Sequence, residues 1–395
     1  MKITKNFNDL WNLRFVLLES SITSGILSLS IMSLFYYSIG MTNEEIALSQ
    51  SIFSVVMIFL DLPMGWIADR LSRKWANIIG DFGEALVLAF IYARANNLAE
   101  VAIAECLLAV FCSLSAGVDS SLLRHFSQKI DKSEKFFRSK SASLVFWQNL
   151  IEMLLVGIGG LVGAISYRLT IALSSVTFFM GGVISLFIND DSEKLQAKTK
   201  NPLKDLARIT QESLKNKKLR LSILARVVGT EITHSMIWFF TPMLIYAGIP
   251  AEIVSMAWVF NSLSTILGAR LAKRFAKKSQ NWQLLTISIL LASFSMGILS
   301  ISISIWTIPF YLLMGIVRGW SSSTLKPRVG QYAKSCEQTS VFSLASTISR
   351  LLYAITGLII GKAGDIDLRF AALANLLLFI PLGIMLIIKL KREDC

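Results

Sequence analysis

Residues able to do chemistry are few in this sequence, and most stand inside apolar runs. Glu19, Asp61, Asp81, Glu84, Glu105, Asp119 and Glu152 interrupt such runs in the first half, and Arg226, Glu231, His234, Arg318 and Arg350 in the second. In a membrane-spanning helix each charge costs at least ~2.5–3.5 kcal/mol at mid-helix, so each must face protein or water and becomes a candidate for moving a proton or holding a solute. Glu231 and His234 are three apart and share a helix face. A desolvated carboxylate and an imidazole both exchange protons near neutrality, so the pair suits proton carriage; a hydrogen-bonded pair that only glues helices is the alternative. Glu19 and Glu152 carry the same expectation on the same cost argument. Arg318 and Arg350 are expected to bind an anionic group or to neutralise the acids of the first half, with structural pairing as the alternative, and Arg226 is a proton or substrate candidate on the same cost argument. Asp81 and Glu84 also share a face and are expected to latch or pack.

The elements that position these groups follow from composition. The 395 residues are 54% hydrophobic and 16% charged, with a mean hydropathy of +0.59. An average soluble domain carries about 25% charged residues. Disorder, a fibrous protein and an ordinary cytosolic enzyme are thereby excluded, leaving a polytopic membrane protein. The net charge of +13 would point to nucleic acid in a soluble chain. In a membrane protein it reflects basic cytoplasmic loops, and no aromatic-basic nucleic-acid module is present. Four cysteines (Cys106, Cys112, Cys336, Cys395) without a C-x-x-C spacing, and two histidines (His125, His234), do not make a metal site or a disulfide framework. No cofactor is expected. The uncharged stretch Ser20–Asn43 is too long for a signal-peptide core and reads as a retained first span.

Apolar runs fall near 14–37, 46–67, 75–93, 100–122, 141–164, 168–188, 221–246, 251–272, 282–303, 308–325, 341–361 and 368–388. They are too long for barrel strands, and only helices satisfy their own backbone in lipid. The fold class is therefore all-α, with twelve transmembrane helices. With the N-terminus inside, 32 of the 39 Lys and Arg fall in alternate loops and tails on one side, and four (Arg94, Arg168, Lys362, Arg369) on the other. The positive side is cytoplasmic, which places both termini inside. The polar segment 189–220 divides the spans into a six-helix half, 1–188, and a second, 221–395. Its Leu203, Leu206, Ile209 and Leu214 sit near helical spacing, as an interfacial amphipathic helix or a solvated linker would.

The halves repeat. An offset of 204 aligns Ala68 with Ala272, Arg70 with Arg274, Arg73 with Lys277 and Lys74 with Lys278. An offset of 202 aligns Gly117, Ser120, Ser121 and Leu123 with identical residues at Gly319, Ser322, Ser323 and Leu325. Duplicated halves are a transporter feature, with the solute path between them. The segment Gly65-Trp-Ile-Ala-Asp69-Arg70-Leu-Ser-Arg73-Lys74 resembles the G-x-x-x-D-R-x-G-R-[RK] signature of the major facilitator superfamily, departing where Ser72 replaces the usual Gly. With twelve spans, the central loop and the repeat, the resemblance covers the whole chain. It implies secondary transport by alternating access, with spans one, four, seven and ten lining the cavity. It also implies a charge latch built from Gly65, Asp69, Arg70, Arg73, Lys74 and Asp119; a solvated positive loop is the plain reading of the same residues.

Apparent enzyme motifs fail on context. Asp81-Phe82-Gly83 lies in an apolar helix, and the glycines at 157, 159, 160 and 163 precede no phosphate-binding lysine. Those glycines suit close helix packing. Span five also lacks the Gly-Pro of the family's drug-antiporter motif. The expected function is proton-coupled export of a small amphipathic compound, a drug or antibiotic peptide, across a bacterial inner membrane by a monomer embedded in the lipid bilayer. Uptake of a nutrient or siderophore-like solute is the alternative, and a sensor or enzyme would be a different class. The charge bias generates a first prediction. Reporter fusions at Cys395 and after Lys200 should both read cytoplasmic; an external reading at either point overturns the orientation.

Overall fold

A computed structural model describes residues 2–189, 202–275, 279–333 and 338–394, and every regular element in it is helical. In chain order these are α1 (Lys2–Thr23), α2 (Met32–Ser38), α3 (Asn43–Leu71), α4 (Arg73–Leu86), α5 (Leu98–Ser115), α6 (Val118–Ile130), α7 (Glu134–Gly163) and α8 (Tyr167–Leu186). There follow α9 (Pro202–Lys215), α10 (Lys217–His234), α11 (Ile237–Tyr246), α12 (Val254–Phe275), α13 (Asn281–Ile301), α14 (Ile308–Tyr332), α15 (Gln338–Ile366) and α16 (Leu368–Asp394). Ten helical segments of the described residues are long and apolar enough to cross a membrane. The pair α10–α11 and the helix α14 complete the twelve spans. Their hydropathy is lowered by the very residues singled out as chemical, Arg226, Glu231, His234 and Arg318.

The chain divides into two compact units. The first comprises 1–35 with 56–200, and the second 36–55 with 201–395. In the first unit Leu13 and Val16 of α1 pack with Leu122 and Phe126 of α6, Leu144 of α7 and Ala68 of α3. The glycines of α7 serve this packing: Gly159 lies against the carbonyl of Leu27, leaving no room for a Cβ there, and Gly163 against Ile31. Three spans are broken rather than straight. The first gives way after Thr23, and the freed amide of Ser28 is taken up by the Ser174 hydroxyl of α8 at 3.0 Å. The fourth breaks at Gly117, whose φ of 78° is left-handed, so that α6 restarts with Asp119 in its first turn.

In the second unit α12 and α14 meet on glycine. Gly319 abuts the backbone of Thr265, and Gly268 that of Ile316. Small residues let the two backbones approach as lipid-embedded helices require. The seventh span breaks between His234 and Ile237; Asn375 of α16, fully buried, donates to the carbonyl of Ile232 at 3.2 Å and to Ser235 at 2.7 Å. Such a break is tolerated because protein replaces the missing helical bonds. Asp365, near the end of α15, accepts from the backbone amides of Asn43 and Glu44 at 2.6 and 3.0 Å and so caps α3. In the turn before α16, hydrogen bonds from Arg369 hold the Asp367 carboxyl below the usual carboxylate range.

The amphipathic segment of the central loop is helical from Pro202 to Lys215. Its Ile209 is buried among Leu219, Ile223 and Val341, so that residue packs on protein, while Leu214 is exposed. The side chains of Leu203 and Leu206 lie outside the described residues. Lys217 pairs with Glu393, which puts the start of α10 beside the end of α16. The tenth span runs through Pro327 to Tyr332, beyond the end at 325 expected from hydropathy.

Ser72 occupies the turn between α3 and α4 with φ 98° and ψ 146°, a conformation that glycine adopts freely and other residues hold under strain. Its hydroxyl accepts weakly from the Trp75 amide at 3.4 Å and caps α4. Relief of strain should outweigh the loss of that cap. Ser72→Gly should therefore stabilise by about 1–2 kcal/mol, whereas Ser72→Ala keeps the strain and should destabilise by about 1 kcal/mol. Thermal unfolding midpoints of the purified variants in detergent check this; a lower midpoint for the glycine variant would show that the cap dominates.

Candidate functional site

The first unit buries a group of carboxyls. Glu19 comes from α1, Asp81 and Glu84 from α4, and Asp119 from the restarted α6. Glu19 is 1% exposed and Asp81 3%. Asn77, Asp81 and Glu84 fall at helical spacing on one face of α4, which turns all three toward the same interior. Asp119 accepts from the Ser20 hydroxyl at 2.7 Å, and Gln148 of α7 donates to Ser20 Oγ at 3.1 Å. Asn77, Asp119 and Asp81 all lie beside the Glu19 carboxyl. Ser115 donates to Glu84 at 3.3 Å. One oxygen each of Glu19, Asp81 and Asp119 is buried with no hydrogen-bond partner among the described residues. Among the described residues no Lys, Arg or His forms an ion pair with any of the four. Gly181 of α8 gives Asp81 its space, since a Cβ there would come 3.0 Å from its carboxyl.

The repeat shows what this site would look like without acids. The offset of 204 carries Asn77 onto Asn281 and Glu84 onto Ser288, and the offset of 202 carries Asp119 onto Ser321. Ser321 and Ser288 hydrogen-bond each other at 2.9 Å, both fully buried. A pair of serines thus satisfies these two positions in the second unit, so helix packing does not demand the carboxyls of the first.

The second unit brings Glu231 and His234 together. Glu231, 4% exposed, accepts from Ser349 of α15 and faces His234 Nδ1 at 3.4 Å; the His234 side chain is 46% exposed and its ring lies on Tyr353. The pair sits at the last turn before the break in the seventh span. His234 also lines a cleft of the same unit with Asn261, Arg318, Tyr311, Trp258 and Met243. Further methionines (Met236, Met296, Met314) complete walls that are apolar and deformable, with a few polar groups set among them.

The remaining residues singled out by sequence are dispersed. The side chains of Asp69 and Arg70, and Gly65, lie outside the described residues. Lys74 donates to the carbonyl of Leu186 at 2.7 Å, so it closes the C-terminus of α8. No bond joins Arg73 to Asp119 among the described residues. Glu105 accepts from Tyr92 at 2.5 Å, as a satisfied buried acid does. Glu152 of α7 is half-buried, next to the Gly25 turn of the first span. Arg226 of α10 stacks on Phe342 of α15, apart from Arg318 in the cleft. Sequence reading missed Asn77, Ser20, Ser115 and Gln148; the i, i+4, i+7 spacing of Asn77, Asp81 and Glu84 was the available signal.

Comparison with known proteins follows the same lines. The profile described as Major Facilitator Superfamily matches residues 15–357. No curated protein sequence matches significantly. Among solved structures, a mutant of the nucleoside transporter NupG superposes with a TM-score of 0.75 at 14% identity, covering 98% of both chains. A bacterial homologue of the human lysosomal transporter Spinster, inward-facing and occupied, gives 0.69 at 11% identity, covering 98% of this chain and 94% of that one. At such identities the likeness concerns the fold alone. With the family profile spanning most of the sequence, on a twelve-span helical fold with repeated halves, the chain belongs to the Major Facilitator Superfamily.

Proposed function

We propose that the protein is a proton-coupled secondary transporter that exports a small amphipathic compound by alternating access. The observation that carries the reading is the group of buried Glu19, Asp81 and Glu84 with half-buried Asp119, and no described cation beside it. Four negative charges in one apolar interior are prohibitively costly, so such a group holds protons. It then exchanges them when water reaches it. Glu231 with His234 is a second proton-exchanging pair, set at the rim of a cleft rich in methionine and aromatic rings. A solute held at His234 and a proton held at Glu231 would exclude one another, which is the logic of antiport. The cleft supports an amphipathic solute over a sugar, because its polar groups are few.

The wider setting belongs to the same proposal. The protein acts in a bacterial cytoplasmic membrane as a monomer, with both termini and the central segment inside, as the Lys and Arg distribution supports. The halves 1–188 and 221–395 are the moving parts, joined by 189–220. The latch of Asp69, Arg73 and Asp119 belongs to another conformation, in which Asp119 leaves Ser20 for the basic residues that open α4. Lys74, Arg70 and Gly65 shape that turn.

Everted membrane vesicles carrying a pH gradient test the coupling. At least one compound in a panel of amphipathic solutes should release protons from wild-type vesicles, and Glu19→Gln should bring that release to background. The double substitution Glu84→Ser with Asp119→Ser, which copies the serines of the second unit, should keep the thermal midpoint within about 2–4 °C of wild type while abolishing proton release. Solute movement without protons would overturn the coupling, and proton-driven accumulation toward the cytoplasmic side would replace export with uptake.

A further inference from the structure

A second cleft in the second unit has the chemistry of an anion receptor. It lies between α10 and α15, lined by Arg226, Val227 and Thr230 on one side and Ala345, Ser346, Ser349 and Arg350 on the other. Arg226 and Thr230 are four apart, and Ser346, Ser349 and Arg350 fall at helical spacing, so two polar helix faces oppose one another. One guanidinium nitrogen of Arg226, Nη1, is buried and has no hydrogen-bond partner among the described residues. Arg226 stacks on Phe342 at 5.5 Å, and Lys326 of α14 sits at 5.8 Å from the same ring. Two cations thus share one aromatic ring, and no acid among the described residues forms an ion pair with either. A buried guanidinium donor without an acceptor is costly, and planar guanidinium with hydroxyl groups matches the geometry of phosphate and carboxylate oxygens.

We propose that Arg226, Thr230, Ser346, Ser349 and Arg350, with Lys326 beside them, form an oxyanion site that takes a phosphate or carboxylate borne by the transported solute. The identity of the bearer rests on the transport reading; the binding of an oxyanion does not. The site is joined to the acid of the first cleft through one hydroxyl. Ser349 lines the oxyanion cleft and donates to Glu231, so an anion that takes that hydrogen bond deprives Glu231 of it.

Thermal unfolding of the purified full chain in detergent tests the site without any flux measurement. Sodium phosphate and sodium citrate are compared with sodium chloride at equal ionic strength, and phosphatidylglycerol is a third probe. Phosphate or citrate should raise the midpoint by about 2 °C over chloride. Arg226→Gln should remove that rise, and Ser346→Ala, a milder change, should weaken apparent affinity severalfold. The proposal is overturned by equal midpoints in all three salts, or by rises of the same size in wild type and both variants. A rise with phosphatidylglycerol alone, lost in Arg226→Gln, assigns the site to a lipid headgroup and overturns the solute. Because binding is read directly, failure here leaves the proton-release assay of Glu19→Gln standing, and the reverse.

Discussion

In lipid, a polar group has no solvent to fall back on, and the structure is organised around how each one finds a partner. Most do so at once. Asn375 satisfies the carbonyl freed by the break in the seventh span, Ser174 the amide freed in the first, and Lys74 the last carbonyl of α8. Glu19, Asp81 and Asp119 depart from this rule, each with a buried oxygen left over. Leaving such atoms unsatisfied costs about 1–3 kcal/mol apiece unless a proton or water takes them up. The helices around them, α1 and α4 to α8, hold the carboxyls close while offering hydroxyls and amides in place of cations. Ser20, Asn77, Ser115 and Gln148 can serve a protonated and an ionised carboxyl alike, since a hydroxyl or an amide both donates and accepts. A lysine or arginine would fix the group in one charge state.

The breaks in the spans fall beside ionisable residues. The first span gives way within two turns of Glu19, the fourth immediately before Asp119, and the seventh immediately after His234. An uninterrupted helix commits every backbone group to its own ladder and fixes the direction of its side chains. A break re-aims the following segment and brings Asp119 into the first turn of α6, where exposed amides favour a negative charge. The tenth span, which runs unbroken through Gly319, shows that the repeat does not impose a break at that position. Its glycines serve instead to bring α12 and α14 together.

How far the sequence carried this picture depends on the range of the interaction. The membrane class, the twelve spans and the six-plus-six repeat follow from hydropathy, charge bias and two offsets, all of which are local or periodic quantities. The partnership of Glu231 with His234 was legible because both lie on one helix turn. That of Glu19 with Asp119 was not, since they are a hundred residues apart and meet only once α1 and α6 pack. Asp81 and Glu84 were seen to share a face, but hydropathy does not say toward which neighbour a face turns. The sequence also hid the breaks. Gly117 and Ser235 are residue types that also stand inside continuous helices such as α14, and the residues that stabilise the breaks in the first and seventh spans, Ser174 and Asn375, lie on other spans.

The duplication separates what the fold requires from what the chemistry requires. Positions 84 and 119 in the first unit correspond to 288 and 321 in the second, on equivalent helices. Two serines there make one hydrogen bond and close the packing at no electrostatic cost. Carboxyls at the same places add a cost of at least ~2.5–3.5 kcal/mol each when charged in a span. That expense brings no packing advantage, because the neutral pair already fills the site. A group that is costly when charged and unnecessary when neutral is useful where the passage between the two states is itself the task. On the transport reading proposed above, the four-carboxyl group assigns this task to the first unit, while the second has serines at two of those positions and presents cations and a deformable apolar cleft. The two units share a scaffold and differ in what they bury.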